Sequence, residues 1–209
     1  MAVTGTNGKT STAWWTAQWL AALGLPSAVV GTLGMGVPGE AFEATGLTTP
    51  DPVMLQAGMR GFVERGLRAC VVEASSIGLQ EGRLNATRVH TAVFLNLTQD
   101  HLDYHGSMEA YWQSKRALFD WHGLKTVIVN IDDPQGARLA DELMPRVTES
   151  GLDLWTLSIT GRPARLHVPD WALTDTGLRF HVVESLGHGA SSLPPVSYTH
   201  LTLPTKRIV

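Results

Sequence analysis

The 209 residues contain a single cysteine, Cys70, which excludes an internal disulfide framework. It lies in the apolar run Ala69-Cys70-Val71-Val72, so it reads as a core residue. Charge is sparse: 17% of residues, with 16 Lys+Arg against 19 Asp+Glu and a formal net charge of −3. No global field therefore favours nucleic acid or a membrane surface, and neither is expected as a partner. No apolar run is long enough to span a bilayer, and no leader-peptide pattern opens the chain. A cytoplasmic protein is the expectation. Hydrophobic residues make up 44%, an ordinary globular value. The length supports one good core with room for an appendage.

The opening stretch is the most informative. Val3-Thr4-Gly5-Thr6-Asn7-Gly8-Lys9-Thr10-Ser11-Thr12 reads as a phosphate-binding loop entering a helix. Its glycines permit a tight turn whose N–H groups face an anion, and the start of the helix points free N–H groups at the same place. Lys9 adds a mobile positive charge, and the Thr10 hydroxyl can reach a magnesium ion. Only two residues separate Gly5 from Gly8, so the loop is a short variant of the common form. Only Met1 to Val3 precede Thr4, so the first strand looks cut short and the chain is expected to be a fragment.

Apolar periodicity then alternates between helix and strand. Helices are expected over 10–23, 53–65, 107–121 and 134–143. Strands are expected over 27–33, 69–73, 91–96, 126–130 and 154–157, with a glycine-rich hairpin or loop at 34–44. Pro50 and Pro52 suit a helix entry, and Val53 to Arg65 continues as that helix. The order predicts an α/β fold, a doubly wound and mostly parallel sheet with its site at the strand C-termini. Beyond Gly161, short stretches at 166–169, 171–174 and 178–184 predict a small antiparallel β appendage.

Polar clusters fall at the strand ends. Glu73-Ala74-Ser75-Ser76 offers a carboxylate for magnesium beside phosphates; alternatively Glu73 pairs locally and the serines start a helix. In Asn96-Leu97-Thr98-Gln99-Asp100-His101-Leu102-Asp103-Tyr104-His105, the two histidines have a helical, metal-like spacing, although solvated or hydrogen-bonded histidines are commoner. Lys115 sits among Tyr111, Ala117, Leu118 and Phe119; physics alone favours an exposed lysine on an amphipathic helix.

In this order, Gly5-Thr6-Asn7-Gly8-Lys9-Thr10, Thr48-Thr49-Pro50-Asp51, Glu73-Ala74-Ser75-Ser76, the 96–103 cluster and Tyr111-Trp112-Gln113-Ser114-Lys115 resemble the central domain of the Mur ligases. Within that family they are most similar to the MurE type, the UDP-N-acetylmuramoyl-dipeptide ligases of peptidoglycan synthesis. The resemblance implies an ATP-dependent ligase joining an amino acid, diaminopimelate or lysine, to a UDP-N-acetylmuramoyl dipeptide through an acyl phosphate. It implies that Gly5 to Ser11 and Asn130 bind ATP, with Lys9 on the β/γ-phosphates. It implies two Mg2+ ions, with Thr10, Glu73 and His101 as ligands. Lys115 matches the lysine that the family carries as a carbamate, an anion able to organise the metal site. Thr48, Thr49, Ser75, Glu81 and Arg83 match positions that hold the UDP-linked peptide. The implied oligomeric state is a monomer.

Some residues depart from the pattern. Ile77 stands where many relatives have His, Glu81 where many have Gln, and Leu47 where some have Asn. Complete relatives also carry an N-terminal domain for the uridine end and a C-terminal domain for the amino acid; neither fits in this length. The expected organisation is therefore a truncated central domain over 1–184 and a non-family tail over 185–209. Residues 195–209 resemble translated sequencing-adapter sequence and are expected to be disordered or loosely attached. Two alternatives remain. One is a folylpolyglutamate synthetase-like ligase, against which the 48–51 turn and the pattern around Ser75 argue. The other is a nucleotide-binding module without turnover, the behaviour expected of the isolated chain.

Overall fold

The computed structural model describes residues 1–174, 177–185 and 196–201. Its parallel core contains β1 (Ala2–Thr4), β2 (Ser27–Gly31), β4 (Ala69–Glu73), β5 (Thr91–Phe94), β6 (Thr126–Asn130), β7 (Asp153–Ser158) and β8 (Leu166–His167). The spatial order is β2-β4-β1-β5-β6-β7-β8, with every neighbouring pair parallel. A short antiparallel strand, β3 (Gly34–Gly36), closes the β2 edge. At the other edge, β10 (Gly177–Glu184) runs antiparallel to β8 and also pairs with β9 (Trp171–Thr174) and β11 (Val196–Leu201). The C-terminal appendage thus extends the main sheet. Of the 185–209 tail, only Ser185 and β11 belong to the described residues.

All residues of β1 and β2 are buried, as expected for parallel strands covered on both faces. Successive side chains point to opposite faces and build two separate layers. Ala2, Val30, Val72, Phe94 and Val127 join the main core with Leu55 and Phe62 of α2 (Pro52–Glu64) and Leu139 and Leu143 of α6 (Pro134–Ser150). Val3, Val29, Val71 and Val93 face Ala13 and Ala17 of α1 (Lys9–Ala22). The tryptophan-rich spacing that predicts α1 is therefore not the face that packs: Trp19 is 55% exposed and Leu23 78%. Two alanines let the helix lie close on the sheet, and the larger rings are displaced to its flanks, where Trp14 stacks on Phe42.

The remaining helices are α3 (Ser76–Gln80), α4 (Leu102–His105) and α5 (Met108–Arg116), the last followed by a 3-10 turn at Ala117–Asp120. The expected 107–121 helix therefore changes form after Arg116. The expected 134–143 helix instead continues through Pro145 to Ser150. Proline removes one backbone donor there. Arg146 compensates by tethering the last turns, donating to the Phe119 carbonyl at 2.7 Å, and Gly151 closes the helix in the left-handed conformation.

The α6 N-terminus is joined to the site side of the sheet by Asp133. Its Oδ1 accepts from Gln135 N and Gly136 N, and its Oδ2 accepts from Leu97 N at 2.9 Å, just beyond β5. Asp133→Ala removes a helix cap and an inter-segment bond together. A loss of about 1–3 kcal/mol is expected. Urea unfolding checks this, and an unchanged midpoint would contradict it.

Candidate active site

Chain direction across the sheet reverses around β1, so the loop after β1 emerges between the ends of β4 and β5, at a topological switch point. Gly8 is the N-cap of α1 at φ 86°, left-handed, and no side chain caps the helix. The first-turn N–H groups are consequently left for an anion. Lys9 folds back over the loop, its Nζ donating to Gly5 O and Thr6 O, both at 2.9 Å. Burial lowers its pKa from the ordinary lysine value. Ser11 lies exposed in the first turn of α1.

The loop is braced from β5. Thr6 N donates to Asn96 O at 3.0 Å, Asn7 N to Asn96 Oδ1 at 2.9 Å, and Asn96 Nδ2 returns a bond to Asn7 O. Thr6 Oγ1 donates to Thr98 O and accepts from Thr98 N. Asn96 and Thr98 are thus site-forming residues that the sequence reading left without a role. Their signal is membership of the 96–103 cluster, which marks a strand-end motif but not which of its residues brace the loop.

Glu73 ends β4 and is 1% exposed. Its Oε2 accepts from the Thr10 hydroxyl at 2.9 Å and the Thr32 hydroxyl at 3.3 Å, and its Oε1 from Thr32 N at 3.0 Å. Gly31 makes room for this: a Cβ there would lie 1.9 Å from Glu73 Oε1. Thr32 spends its proton on Glu73, so Thr48 donates to Thr32 in their 3.1 Å contact. Thr49 is buried, donates to the Glu73 carbonyl at 2.8 Å and accepts from Ser75 N and the Ser75 hydroxyl. Ser75 in turn caps α3 by accepting from Gly78 N. The capping expected of the serines and the proximity to the site therefore coexist. Arg83 donates from Nη1 to Thr49 O at 2.9 Å and from Nε to Glu81 Oε2 at 2.8 Å. The guanidinium holds the Glu81 carboxyl below the usual range.

Lys115 does not occupy the exposed position that its helix pattern favours. It is 1% exposed, because α5 turns this face inward against the phosphate loop. Its Nζ donates to Gly5 O at 2.9 Å and lies 4.5 Å from the centre of the Tyr111 ring. Tyr111, fully buried, meets Thr6 Oγ1 at 3.1 Å; Thr6 has already given its proton to Thr98, so Tyr111 donates. Burial, reinforced by the charge on Lys9, pushes the Lys115 amine down to about 7.

The two histidines do not share a helical face. His101 takes a left-handed N-cap conformation, φ 50°, so α4 starts only after it. Its ring stands edge-on to Tyr111 at 6.2 Å and beside Asp100 at 3.5 Å. His105 is buried instead, its Nε2 3.0 Å from Ser76 Oγ. Among the described residues, no group of three or more His, Cys, Asp or Glu converges to hold a metal. The pair formed by Thr10 Oγ1 and Glu73 Oε2 nevertheless fits magnesium chemistry, because both are hard oxygen donors at the mouth of a phosphate loop. Asn130 uses both ends of its amide locally, donating to Leu95 O at 2.8 Å and accepting from Asp132 N.

The buried amine yields a stability prediction. Between about pH 7 and the ordinary lysine value of 10.5, the unfolded chain holds a proton at Lys115 that the native chain lacks. The contribution of Lys115 to stability therefore rises with pH across that window. Lys115→Met is expected to raise the melting temperature in CO2-free buffer, most at or below pH 7, with the gain shrinking toward pH 10. A gain independent of pH would contradict burial of the amine as its cause.

A family model described as the Mur ligase middle domain matches residues 3–194. The UDP-N-acetylmuramoyl-L-alanyl-D-glutamate–2,6-diaminopimelate ligase of Acidovorax sp. (strain JS42) is 58% identical over 191 residues, covering 88% of this chain and 37% of that protein. The ligase of the same name from Pseudomonas aeruginosa is 44% identical over 192 residues, covering 92% and 38%. A solved structure of a ligase of that name superposes with a TM-score of 0.79 at 32% identity, covering 92% of this chain and 38% of that one. The apo form of L. casei FPGS shares the fold, with a TM-score of 0.61 at 19% identity over 88% of this chain and 50% of that one. The chain spans less than two fifths of the length of these curated relatives. With the phosphate loop, the buried Glu73 and the inward-facing Lys115 at one switch point, and with the middle-domain match over most of its length, this chain belongs to the Mur ligase family.

Proposed function

We propose that this chain is the ATP-binding, catalytic part of a longer peptidoglycan ligase. Its reaction adds diaminopimelate to UDP-N-acetylmuramoyl-L-alanyl-D-glutamate. The observation that carries this reading is the meeting of Lys9, Lys115 and the Thr10–Glu73 pair at one short loop. The names of the relatives at 58% and 44% identity support diaminopimelate over lysine as the added amino acid. The likeness to L. casei FPGS is one of fold and supports no folate substrate.

In this reading ATP phosphorylates the terminal carboxylate of the UDP-linked peptide. The incoming amine then displaces phosphate from the acyl phosphate, giving an amide. Such a reaction needs positioning and charge neutralisation more than covalent help from the protein. The free N–H groups at the start of α1 and the ammonium of Lys9 hold the phosphates. Thr10 and Glu73 hold magnesium, which supplies charge neutralisation when bound; His101 serves a second ion. Thr48, Thr49, Ser75, Glu81 and Arg83 orient the acyl substrate, and Asn130 lies on the adenine side. Lys115, taken as a carbamate, would supply a negative group to the metal site in place of its amine. A cytoplasmic setting follows from the nucleotide substrates.

Two measurements test the reading. By calorimetry, Lys9→Ala is expected to weaken Mg-ATP binding at least about 10-fold; equal binding by both proteins would mean that the loop is not a phosphate site. In the complete gene product, ADP release should require the UDP-linked dipeptide and favour diaminopimelate over lysine. Release with folate and glutamate alone would overturn the assignment.

A further inference from the structure

Tyr104 has no role in the reading above. It is 41% exposed, yet its hydroxyl reaches across to α3 and donates to Glu81 Oε1 at 3.1 Å. Glu81 Oε2 takes Nε and Nη2 of Arg83, at 2.8 and 2.5 Å. Arg83 Nη1 in turn donates to Thr49 O. The four residues form one line, Tyr104–Glu81–Arg83–Thr49, running from α4 to the segment beside Glu73.

We infer that Tyr104 is a substrate-positioning residue, whose hydroxyl fixes the Glu81 carboxylate so that Glu81 aims Arg83 at the acyl substrate. The inference deepens the proposed function and rests on it. A guanidinium has five N–H donors. Three are committed to Glu81 and Thr49 here, which leaves two for a ligand. Those two suit a carboxylate of the peptide substrate, provided the plane of the guanidinium is fixed. Glu81 sets that plane, and it is 41% exposed at its side chain, so a second tether is what prevents it from turning away. Tyr104 provides the tether.

Holding α4 in place is not the task of this bond. His105, the next residue, already anchors α4 to α3 through Ser76 from the buried side. The exposed bond is therefore in excess of what the packing needs. Tyr104 also lies three residues after His101, the N-cap of the same short helix.

The test uses the complete gene product. Tyr104→Phe removes one hydroxyl from an exposed ring. It is expected to raise KM for UDP-N-acetylmuramoyl-L-alanyl-D-glutamate by about 3- to 10-fold. KM for ATP and the melting temperature should stay unchanged. In a Glu81→Ala background Tyr104→Phe should have no further effect. An unchanged KM in Tyr104→Phe, an equal rise in the Glu81→Ala background, or equal rises for both substrates with a lower melting temperature would each overturn the inference. If the wild type forms no amide from this substrate, the proposed function fails and the inference falls with it. A working wild type with a silent Tyr104→Phe overturns the inference alone.

Discussion

A carboxylate buried at the end of β4 holds the site together. Glu73 is taken out of water and can be tolerated there only because donors surround it. Three donors come from two places: the hydroxyl of Thr10 in the first turn of α1, and the backbone and hydroxyl of Thr32 after β2. Its own carbonyl collects a fourth bond from Thr49. The carboxylate and the carbonyl of one residue therefore draw the phosphate loop, the β2 edge and the 48–49 segment to a single point. The same demand fixes Gly31, because any side chain there would occupy the space of the carboxylate.

On the opposite side of the loop the logic is reversed. Glu73 gathers donors, whereas Lys115 is a donor with few partners: one carbonyl and one aromatic face. An amine so poorly solvated favours its neutral form. Lys9, by contrast, bonds two carbonyls of the loop. The two lysines share the Gly5 carbonyl as acceptor, so one oxygen is the junction between the loop amine of Lys9 and the buried amine of Lys115.

Much of this architecture is legible in the sequence because it rests on local chemistry. Runs such as Ala69-Cys70-Val71-Val72 announce buried parallel strands, and Gly5-Thr6-Asn7-Gly8-Lys9-Thr10 announces an anion-binding turn. What the sequence hides depends on which face of a helix meets the sheet. A single helix cannot disclose that Ala13 and Ala17, rather than the tryptophans, are buried, or that Lys115 points inward. The bracing of the loop by Asn96 and Thr98 is hidden for a related reason: those contacts join residues about ninety positions apart. The passage of α6 through Pro145 is equally non-local, since the arginine that tethers the last turns bonds a carbonyl in a different element.

The close seating of α1 on its alanines has an optical consequence. Because alanines occupy its inner stripe, three indoles ride on the outside of the same helix that opens at the phosphate loop. Trp14 is stacked on Phe42 with ring centres 5.3 Å apart, and Trp19 looks into solvent. The chain thus carries intrinsic fluorophores in contrasting surroundings on one helix, about one and a half to three turns from the glycine-rich loop. Events at the loop that tilt the helix can be read from the emission of the native protein, without an attached dye.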